Sequence, residues 1–449
     1  MKIRFIEPSR WIGDGKLLKV RSLFIPPITL PLLAALTPAD FEVDMVSEPF
    51  DDINFDDKVD LVGITAYTSR ALRAYEIADE FRKRRVYVIM GGIHVSMEPE
   101  EALEHSDTVV VGEAEETWPR FLHDLRNGKP RRLYKADKLP TLENLPVPRF
   151  SLMDINRYVL CRKKGFSRFL PAPVYPVQTA RGCPHGCEYC SVSVFSGRQY
   201  RVRPVEEVVN ELKFLKIRGC IFIDDNIFAN PSRARELFRA IRPLELIWAG
   251  QGTLSAASDR EILRLARESG CVALFLGIES VSGKALESVG RNVNKVLDYE
   301  KDIKVFKEEG ISIMASMIFG LDGESPTTFQ ETYHFLMKNR LAYTLWHPLV
   351  PFPGTVLYKR LREVKRLKED KWWLNRDSVN NFLVLKFTSA NIAEDKFRED
   401  FLRYYRLFYS LNGLIRRILF PLQERPLLKI LLNFLLKARI ANNASIIES

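Results

Sequence analysis

Three of the six cysteines in this 449-residue chain lie within eight positions, and this cluster constrains the fold more than any other feature. Cys183, Cys187 and Cys190 follow the spacing C-x3-C-x2-C, with Gly182 and Gly186 beside and between them. Glycines allow the backbone to curl so that three sulfurs point toward one place. The spacing therefore indicates a metal site carried on a single loop.

Two kinds of metal group suit three thiolates. A structural zinc ion is normally closed by four Cys or His ligands, and His185 is the fourth ligand at hand. An iron–sulfur cube held by three cysteines instead keeps one iron free for a further ligand. His185 lies inside the loop rather than on a second ligand pair, which favours the cube.

The cysteine loop lies in a long region where short apolar strands alternate with amphipathic helices, the pattern of a partial (β/α)6 barrel. The predicted strands are 174–179, 220–224, 247–252, 272–278, 312–319 and 343–349, and helices are predicted at 205–216, 231–241 and, capped by Ser258, at 259–269. In barrels of this kind the active site collects at the carboxyl ends of the strands.

Polar residues follow these strands one after another. They are Asp224, Asp225, Gln251, Glu279, the segment 320–324 and His347. Each alone is explained by a helix cap or a turn, but their occurrence at successive strand ends favours one shared site. The sequence does not identify the substrate-side acid or base, for which Tyr175, Tyr200 and His347 are candidates by neighbourhood alone.

Residues 1–130 alternate strands and helices in the rhythm of a doubly wound parallel sheet. The predicted strands are 2–7, 41–47, 61–67, 86–90 and 108–111, and three of the loops that follow them carry glycine near Thr65, Gly91 and Gly112. In such sheets ligands bind at the carboxyl ends of the strands. Each glycine is explained by a tight turn, but together the loops predict one crevice.

The rest of the chain divides by composition. Residues 131–172 are rich in proline and basic residues and are predicted to form a linker, which leaves the barrel at 173–365. Residues 366–449 are predicted to be helical. The segment 427–439 has polar residues four apart on an otherwise apolar helix and is too short to span a bilayer. It is either buried against the barrel or bound in a membrane interface.

The motif C-x3-C-x-aromatic-C, with Tyr189 as the aromatic residue, resembles the signature of the radical SAM superfamily. The resemblance implies a 4Fe-4S cluster on Cys183, Cys187 and Cys190 that binds S-adenosylmethionine and cleaves it to a 5'-deoxyadenosyl radical. It also implies a set of contacts to S-adenosylmethionine: Tyr189, Asp224, Asp225, Gln251, Glu279, Gly320 and Glu324. The last loop departs from the commoner Gly-x-Pro-Gly-Glu pattern by carrying Asp322 in place of proline.

Residues 1–130 resemble the cobalamin-binding domain that precedes the barrel in one subclass of that superfamily, and the run from Val350 to Tyr358 resembles the closing turn of the barrel in the same subclass. Cobalamin contacts are implied for Thr65, Gly91, Gly92, His94, Gly112 and Glu113. The Asp-x-His-x-x-Gly pattern that supplies a histidine to cobalt in many cobalamin proteins is missing from this segment. We therefore expect His94 near the nucleotide tail rather than on cobalt.

These features predict a cobalamin-dependent radical SAM enzyme that methylates, or otherwise modifies by radical chemistry, an unidentified substrate. Three alternatives stay open: a cobalamin-independent radical SAM enzyme with a vestigial first domain, a tRNA methylthiotransferase, and a noncatalytic metal-stabilised binding protein. Methylthiotransferases carry three further cluster cysteines in the amino-terminal domain, and residues 1–160 contain no cysteine.

The net charge of +10 is concentrated at the end of the chain, where residues 401–449 hold eight arginines or lysines and two glutamates. This apolar, basic segment favours a small-molecule or lipid-like substrate, and in the second of the two arrangements above it would make peripheral contact with the inner face of a membrane. Nucleic acid is not expected as a partner. Because thiolate ligands need a reducing compartment and no secretion signal is visible, we expect a cytoplasmic enzyme served by an electron donor such as flavodoxin or ferredoxin.

Overall fold

Two six-stranded parallel sheets, each flanked by helices, organise the chain in this computed structural model. The structure describes residues 1–12, 15–20, 25–158, 173–291, 296–381, 383–419 and 433. The predicted fold class, a doubly wound sheet followed by a partial barrel, is confirmed.

The first sheet has the strand order β4-β1-β5-β6-β7-β8, and every pairing within it is parallel. The strands of this part of the chain, including the short hairpin β2–β3, are β1 (Lys2–Glu7), β2 (Trp11–Ile12), β3 (Lys16–Leu17), β4 (Glu42–Ser47), β5 (Leu61–Thr65), β6 (Tyr87–Gly91), β7 (Thr108–Val111) and β8 (Leu133–Lys135). Its helices are α1 (Thr29–Leu36), α2 (Ala71–Lys83), α3 (Ile93–Met97), α4 (Pro99–His105) and α5 (Thr117–Arg126). The direction of winding reverses between β1 and β5, which is where ligands bind in sheets of this type.

The sheet extends slightly further along the chain than its predicted boundary at residue 130. β8 pairs with β7 in parallel, from Val109 opposite Leu133 to Val111 opposite Lys135, and so lies in the segment predicted as linker. Three residues without a clear alternation of apolar and polar side chains carry too weak a periodic signal to be recognised as a strand.

The second sheet has the order β16-β15-β14-β13-β12-β9, so strands adjacent in this sheet follow one another along the chain. The strands of this region are β9 (Tyr175–Val177), β10 (Ala180–Arg181), β11 (Arg201–Val202), β12 (Gly219–Phe222), β13 (Ile247–Gly252), β14 (Cys271–Glu279), β15 (Ser312–Phe319) and β16 (Tyr343–Pro348). The helices are α6 (Ser191–Phe195), α7 (Val205–Phe214), α8 (Pro231–Ile241), α9 (Arg260–Glu268), α10 (Gly283–Glu287), α11 (Tyr299–Glu308), α12 (Thr328–Lys338) and α13 (Val356–Glu363).

Side-chain caps fix where several of these helices begin. Asn230 accepts a hydrogen bond from the backbone N–H of Arg233 at the start of α8, which has proline in its first turn. Asp259 caps α9 by accepting from the N–H of Ile262 at 3.2 Å. The prediction that Ser258 caps this helix is wrong, because the helix begins one residue later than expected.

The C-terminal region contains α14 (Arg376–Asn380), α15 (Glu394–Phe408) and α16 (Leu411–Leu414), and it contacts both sheets. Trp372 and Trp373 are buried in the core of the first domain, while α15 packs against α12. Of the predicted helix at 427–439 only Asn433 lies within the described residues. Its side chain is buried and donates to the carbonyl oxygen of Ala342 at 3.1 Å. None of the helices within the described ranges has the length and apolarity needed to cross a membrane.

A buried carboxylate joins the C-terminal region to the first domain. Oε1 of Glu101 accepts hydrogen bonds from the Tyr75 hydroxyl and the Trp373 indole, both at 2.9 Å, and lies 3.4 Å from Nε2 of His94. Lys371 Nζ lies 3.0 Å from Oε2. Burial alone would raise the pKa of Glu101, but these donors together lower it to about 2.

We predict that Glu101→Gln lowers the free energy of unfolding by about 2–4 kcal/mol, because the change removes a buried negative charge that accepts from Tyr75, Trp373 and Lys371. Denaturant unfolding at neutral pH measures the loss. The folded-state pKa lies below the unfolded value, so the contribution of Glu101 is present above about pH 4.5 and disappears as the pH falls toward 2.

The matched control is Glu100→Gln, since Glu100 precedes Glu101 in α4 and is exposed to solvent. Its replacement should leave stability nearly unchanged. Equal losses from the two variants would show that Glu101 does not join the C-terminal region to the first domain.

Candidate active site

The cysteine loop leaves the barrel sheet after its first strand. β9 leads into β10, and the loop runs from Gly182 to Cys190, where α6 begins. Within the loop the N–H of Cys190 donates to the carbonyl oxygen of Cys187 at 3.1 Å, and the N–H of Glu188 donates to that of Val289 at 3.0 Å. Cys187 is buried, whereas Cys183 and Cys190 are half-buried.

Gly182 sets the path of the chain into this loop. Its φ of +87° favours glycine, and a Cβ at this position would stand 1.9 Å from the carbonyl oxygen of Gln199. Its N–H donates to Oδ2 of Asp225 at 2.7 Å. The loop therefore starts in a conformation that no other residue type can adopt here.

The donor set of the loop fits an iron–sulfur cluster. Burial raises the pKa of the Cys183 and Cys190 thiols, and a bound metal would replace their protons outright. Across the described ranges no group of three or more His, Cys, Asp or Glu side chains converges on a single metal ion. In a cube, each of the three thiolates binds a different iron rather than a shared ion.

Arg291 connects the cysteine loop to the barrel strands. Its guanidinium donates to Sγ of Cys187 and to the hydroxyl of Tyr189, both at 3.2 Å, and to the carbonyl oxygen of Gly277 at 2.8 Å. It also lies 3.5 Å from the carboxylate of Glu279. Sequence reasoning missed Arg291, because a single arginine after a turn carries no distinguishing pattern.

Glu279 ends β14 in a backbone conformation that is rare for its residue type. Its φ is +69°, and its carboxylate accepts from the hydroxyl of Ser316 at 3.1 Å. Burial raises its pKa, and the nearby Arg291 opposes that shift. Non-glycine residues with positive φ concentrate at functional sites, where surrounding contacts hold them in place.

The two aspartates after β12 have different surroundings. Asp224 is fully buried; its carboxylate accepts from the backbone N–H of Thr179 at 2.6 Å and from the Thr179 hydroxyl, and burial raises its pKa to about 6. Asp225 is half-buried, and its carboxylate accepts from the backbone N–H of Gly182. Asp224 therefore holds the strand that leads to the cysteine loop, and Asp225 holds the loop itself.

The remaining predicted contacts to S-adenosylmethionine lie at the same strand ends. Gln251, in β13, is half-buried and accepts from the N–H of Ile227 through its backbone carbonyl. Glu324 accepts from the N–H of Gly320 at 2.8 Å, and burial raises its pKa to about 8. Asp322, which replaces the usual proline, forms two hydrogen bonds with Arg366 at 2.8 and 2.9 Å.

A cavity of about 460 Å³ lies between the two sheets at the carboxyl ends of their strands. The first domain contributes the loops that contain Thr65, Gly91, Gly92, Gly112 and Glu113, five of the six residues predicted to contact cobalamin. The barrel contributes Gln178, Arg181, Val192, Phe195, Ser196 and Asp225. The volume of the cavity is in the range of small-molecule and cofactor sites.

Gly92 forms part of this cavity with a backbone that requires glycine. Its φ and ψ are 101° and 178°, and a Cβ would stand 2.7 Å from Oγ1 of Thr65 and 2.9 Å from the backbone of Ala66. The chain can therefore place bare backbone against a ligand at this point.

His94 is the member of the predicted cobalamin set that the structure does not bring to the cavity. Its side chain is fully buried in α3, within hydrogen-bond distance of Tyr75 and close to Glu101. A histidine after two glycines suggests an exposed loop, but here the helix begins at Ile93 and turns the imidazole into the core.

The three candidates for a substrate-side acid or base are spread over the barrel. Tyr175 packs its ring against Phe150, with 5.4 Å between ring centroids. Burial raises the pKa of the Tyr200 phenol. His347, at the end of β16, is accessible to solvent but enclosed closely enough that desolvation lowers its pKa.

Comparison with known proteins matches two regions of the chain to families. The model of the radical SAM superfamily matches residues 177–336, which include the three clustered cysteines, and the model of the B12 binding domain matches residues 17–122, which include the glycine loops of the cavity.

Whole-chain relatives span both matched regions. The chain is 29% identical over 427 residues to bacteriochlorophyllide d C-8(2)-methyltransferase of Chlorobaculum tepidum, covering 92% of each protein. It is 28% identical over 410 residues to the C-12(1)-methyltransferase of the same organism, covering 89% of this chain and 85% of that protein.

A similar solved structure is the radical S-adenosylmethionine methyltransferase TsrM of Kitasatospora setae, with cobalamin and a 4Fe-4S cluster bound. It superposes with a TM-score of 0.66 at 18% identity, over 90% of this chain and 88% of that one. At this identity the likeness concerns the fold alone.

We predict that Cys187→Ala abolishes cluster binding, because the cube loses one of its three protein ligands. Iron and acid-labile sulfide, measured after anaerobic reconstitution, should fall to background. Cys220→Ala is the matched control, since Cys220 is a buried cysteine of β12 outside the loop, and it should retain full iron. Iron at the wild-type level in Cys187→Ala would refute the ligand assignment.

Proposed function

This chain belongs to the radical SAM superfamily and carries an N-terminal B12-binding domain, and on that premise we propose that it transfers a methyl group to a carbon atom of a hydrophobic small molecule. The observation that carries the proposal is the cavity between the two domains. It is lined by the glycine loops of one domain and, in the other, by the root of the cysteine loop, that is, the residues around Arg181 from which the loop starts. Methyl transfer requires that its cofactors and substrate share such a space.

The cofactors of this class are a 4Fe-4S cluster, S-adenosylmethionine and cobalamin. When bound, the cluster with S-adenosylmethionine supplies a radical that takes hydrogen from carbon, and cobalamin supplies the methyl group. The protein contributes binding, orientation and exclusion of water.

The residues of the barrel divide these tasks. Cys183, Cys187 and Cys190 would hold the cluster, while Arg291 places a positive charge beside the Cys187 sulfur. Among the predicted contacts to S-adenosylmethionine, Asp224 is bonded to Thr179 and would act by holding the strand below the loop. The set proposed to touch S-adenosylmethionine is Tyr189, Asp225, Gln251, Glu279, Gly320 and Glu324.

The first domain would bind cobalamin through backbone and small side chains at Thr65, Gly91, Gly92 and Gly112. None of these four residues is a histidine, and His94, the histidine predicted to contact cobalamin, is buried in the core. We propose that cobalt receives no histidine from the first domain.

The cavity and the relatives support a proposal for the substrate class. Apolar residues such as Ile93, Val192 and Phe195 line the space next to the cysteine loop. The relatives are named for methylation of bacteriochlorophyllides, which are large apolar ring systems. We propose a polycyclic or lipid-like substrate, a cytoplasmic location with peripheral membrane contact through the C-terminal segment, and reduction by a flavodoxin or ferredoxin.

The proposal is tested by anaerobic reconstitution with iron, sulfide and hydroxocobalamin, followed by reductive turnover with methyl-labelled S-adenosylmethionine and a panel of chlorophyllides, porphyrins and polycyclic lipids. We expect 5'-deoxyadenosine and S-adenosylhomocysteine to form together, with label in one substrate. Formation of 5'-deoxyadenosine with an altered but unlabelled product would contradict methyl transfer.

We predict that Gly92→Ala removes cobalamin but not the cluster, because the new Cβ collides with the backbone of Ala66 in the cavity wall. Protein-bound cobalt should fall to background at unchanged iron content. Gly128→Ala is the control: Gly128 also has a positive φ, which costs an alanine roughly 1–2 kcal/mol, but has open space around it. Cobalt retained in Gly92→Ala would count against the assigned site.

A further inference from the structure

Two arginines at the root of the cysteine loop bind one glutamate of the B12-binding domain. Nη1 of Arg181 and Nη1 of Arg201 lie 2.8 and 3.0 Å from Oε2 of Glu113, and Arg201 also binds Oε1. Nη2 of Arg181 lies 2.6 Å from Oε1 of Glu115. The two domains are thus joined by ion pairs at the wall of the cavity.

The two arginines are direct neighbours in the short hairpin that supports the loop. β10 and β11 pair antiparallel, with Arg181 opposite Arg201. Gly182 and Cys183 follow Arg181 immediately. Glu113 is thus linked, through Arg181 and the hairpin, to the chain two residues before Cys183.

The ion pairs are shielded from water. The Glu113 side chain is 3% exposed, and those of Arg181 and Arg201 are 14% and 15% exposed. Separating the buried Glu113 carboxylate from its two arginines would cost free energy, because its charge would be left unpaired. This cost favours the arrangement in which the three side chains stay in contact. Because Glu113 and Glu115 lie in the loop after β7 that lines the cavity, a corrinoid in the cavity would rest against the same loop.

We propose that Glu113, Arg181 and Arg201 are positioning residues through which occupancy of the corrinoid cavity tightens the binding of S-adenosylmethionine at the cluster. The inference rests on the proposed cobalamin site. A corrinoid that fixes the loop after β7 would also fix the hairpin, and S-adenosylmethionine would then bind a loop that is already ordered. By thermodynamic linkage the two ligands must strengthen each other by the same factor.

If these contacts only stabilised the fold, a different result would be expected. Their loss would then lower stability and cluster content. If they couple the two sites, their loss changes the ratio of the dissociation constants for S-adenosylmethionine measured with and without hydroxocobalamin. That ratio can be measured without a substrate and without turnover.

The experiment uses the full-length protein with its cluster reconstituted. The dissociation constant for S-adenosylmethionine is measured by equilibrium dialysis, with and without saturating hydroxocobalamin. We expect hydroxocobalamin to tighten the binding about fivefold or more in the wild type. In Arg181→Gln the factor should fall to about one at unchanged iron content, and Arg181→Lys, which keeps the charge, should recover part of it.

The control is Arg235→Gln. Arg235 also binds two carboxylates, those of Asp259 and Glu261, but on the outer helices of the barrel. This variant should keep the wild-type factor. If Arg181→Gln does not hold its cluster, Glu113→Gln decides the question, since it leaves both hairpin arginines in place.

The outcomes separate this inference from the proposed function. A wild-type protein that fails to bind hydroxocobalamin contradicts the proposed function. Binding of hydroxocobalamin without any change in the affinity for S-adenosylmethionine, or an unchanged factor in Arg181→Gln, overturns the inference alone. Loss of iron in both Arg181→Gln and Glu113→Gln also overturns it, because the residues would then serve cluster formation.

Discussion

Parallel strands release every following loop at the same edge of a sheet, and this protein sets two such edges against each other. The cavity between the edges receives the glycine loops from one side and the root of the cysteine loop from the other. Neither domain encloses that space alone. The chemistry of the protein therefore depends on how the two sheets are held together.

The contacts that hold them are mostly charged or aromatic and partly or fully buried. On one flank, Glu113 takes two arginines from the cysteine hairpin. On another, Glu101 takes a lysine and an indole from the C-terminal region. Burying a charge is costly unless its partners are in place, so such contacts favour one relative placement of the domains over nearby ones.

Much of the fold could be predicted because the periodic signal in the sequence is strong. The strand at 312–319 and the helix at 231–241 have the predicted bounds, and the other major strands are shifted by at most two residues. The cysteines, the glycine loops and the strand-end polar residues could be identified because each occupies a position that its neighbours in sequence define. What could not be predicted depends on contacts between distant segments. Arg291 reaches Cys187 across 104 positions, and Trp373 reaches Glu101 across 272.

The differing surroundings of Asp224 and His94 show why residue type and position do not suffice. Both follow strands in the expected places, yet both side chains are turned into the core, where Thr179 and Tyr75 bind them. At a strand end the side chains of successive residues point to opposite sides. Two adjacent residues can therefore differ in role: one faces the ligand, and the other faces the core and holds the backbone in place. Asp225, one position after Asp224, reaches the cavity and binds the loop that carries the cysteines. In this site the buried Asp224 and the half-buried Asp225 act on the same loop, one from below and one from the cavity wall.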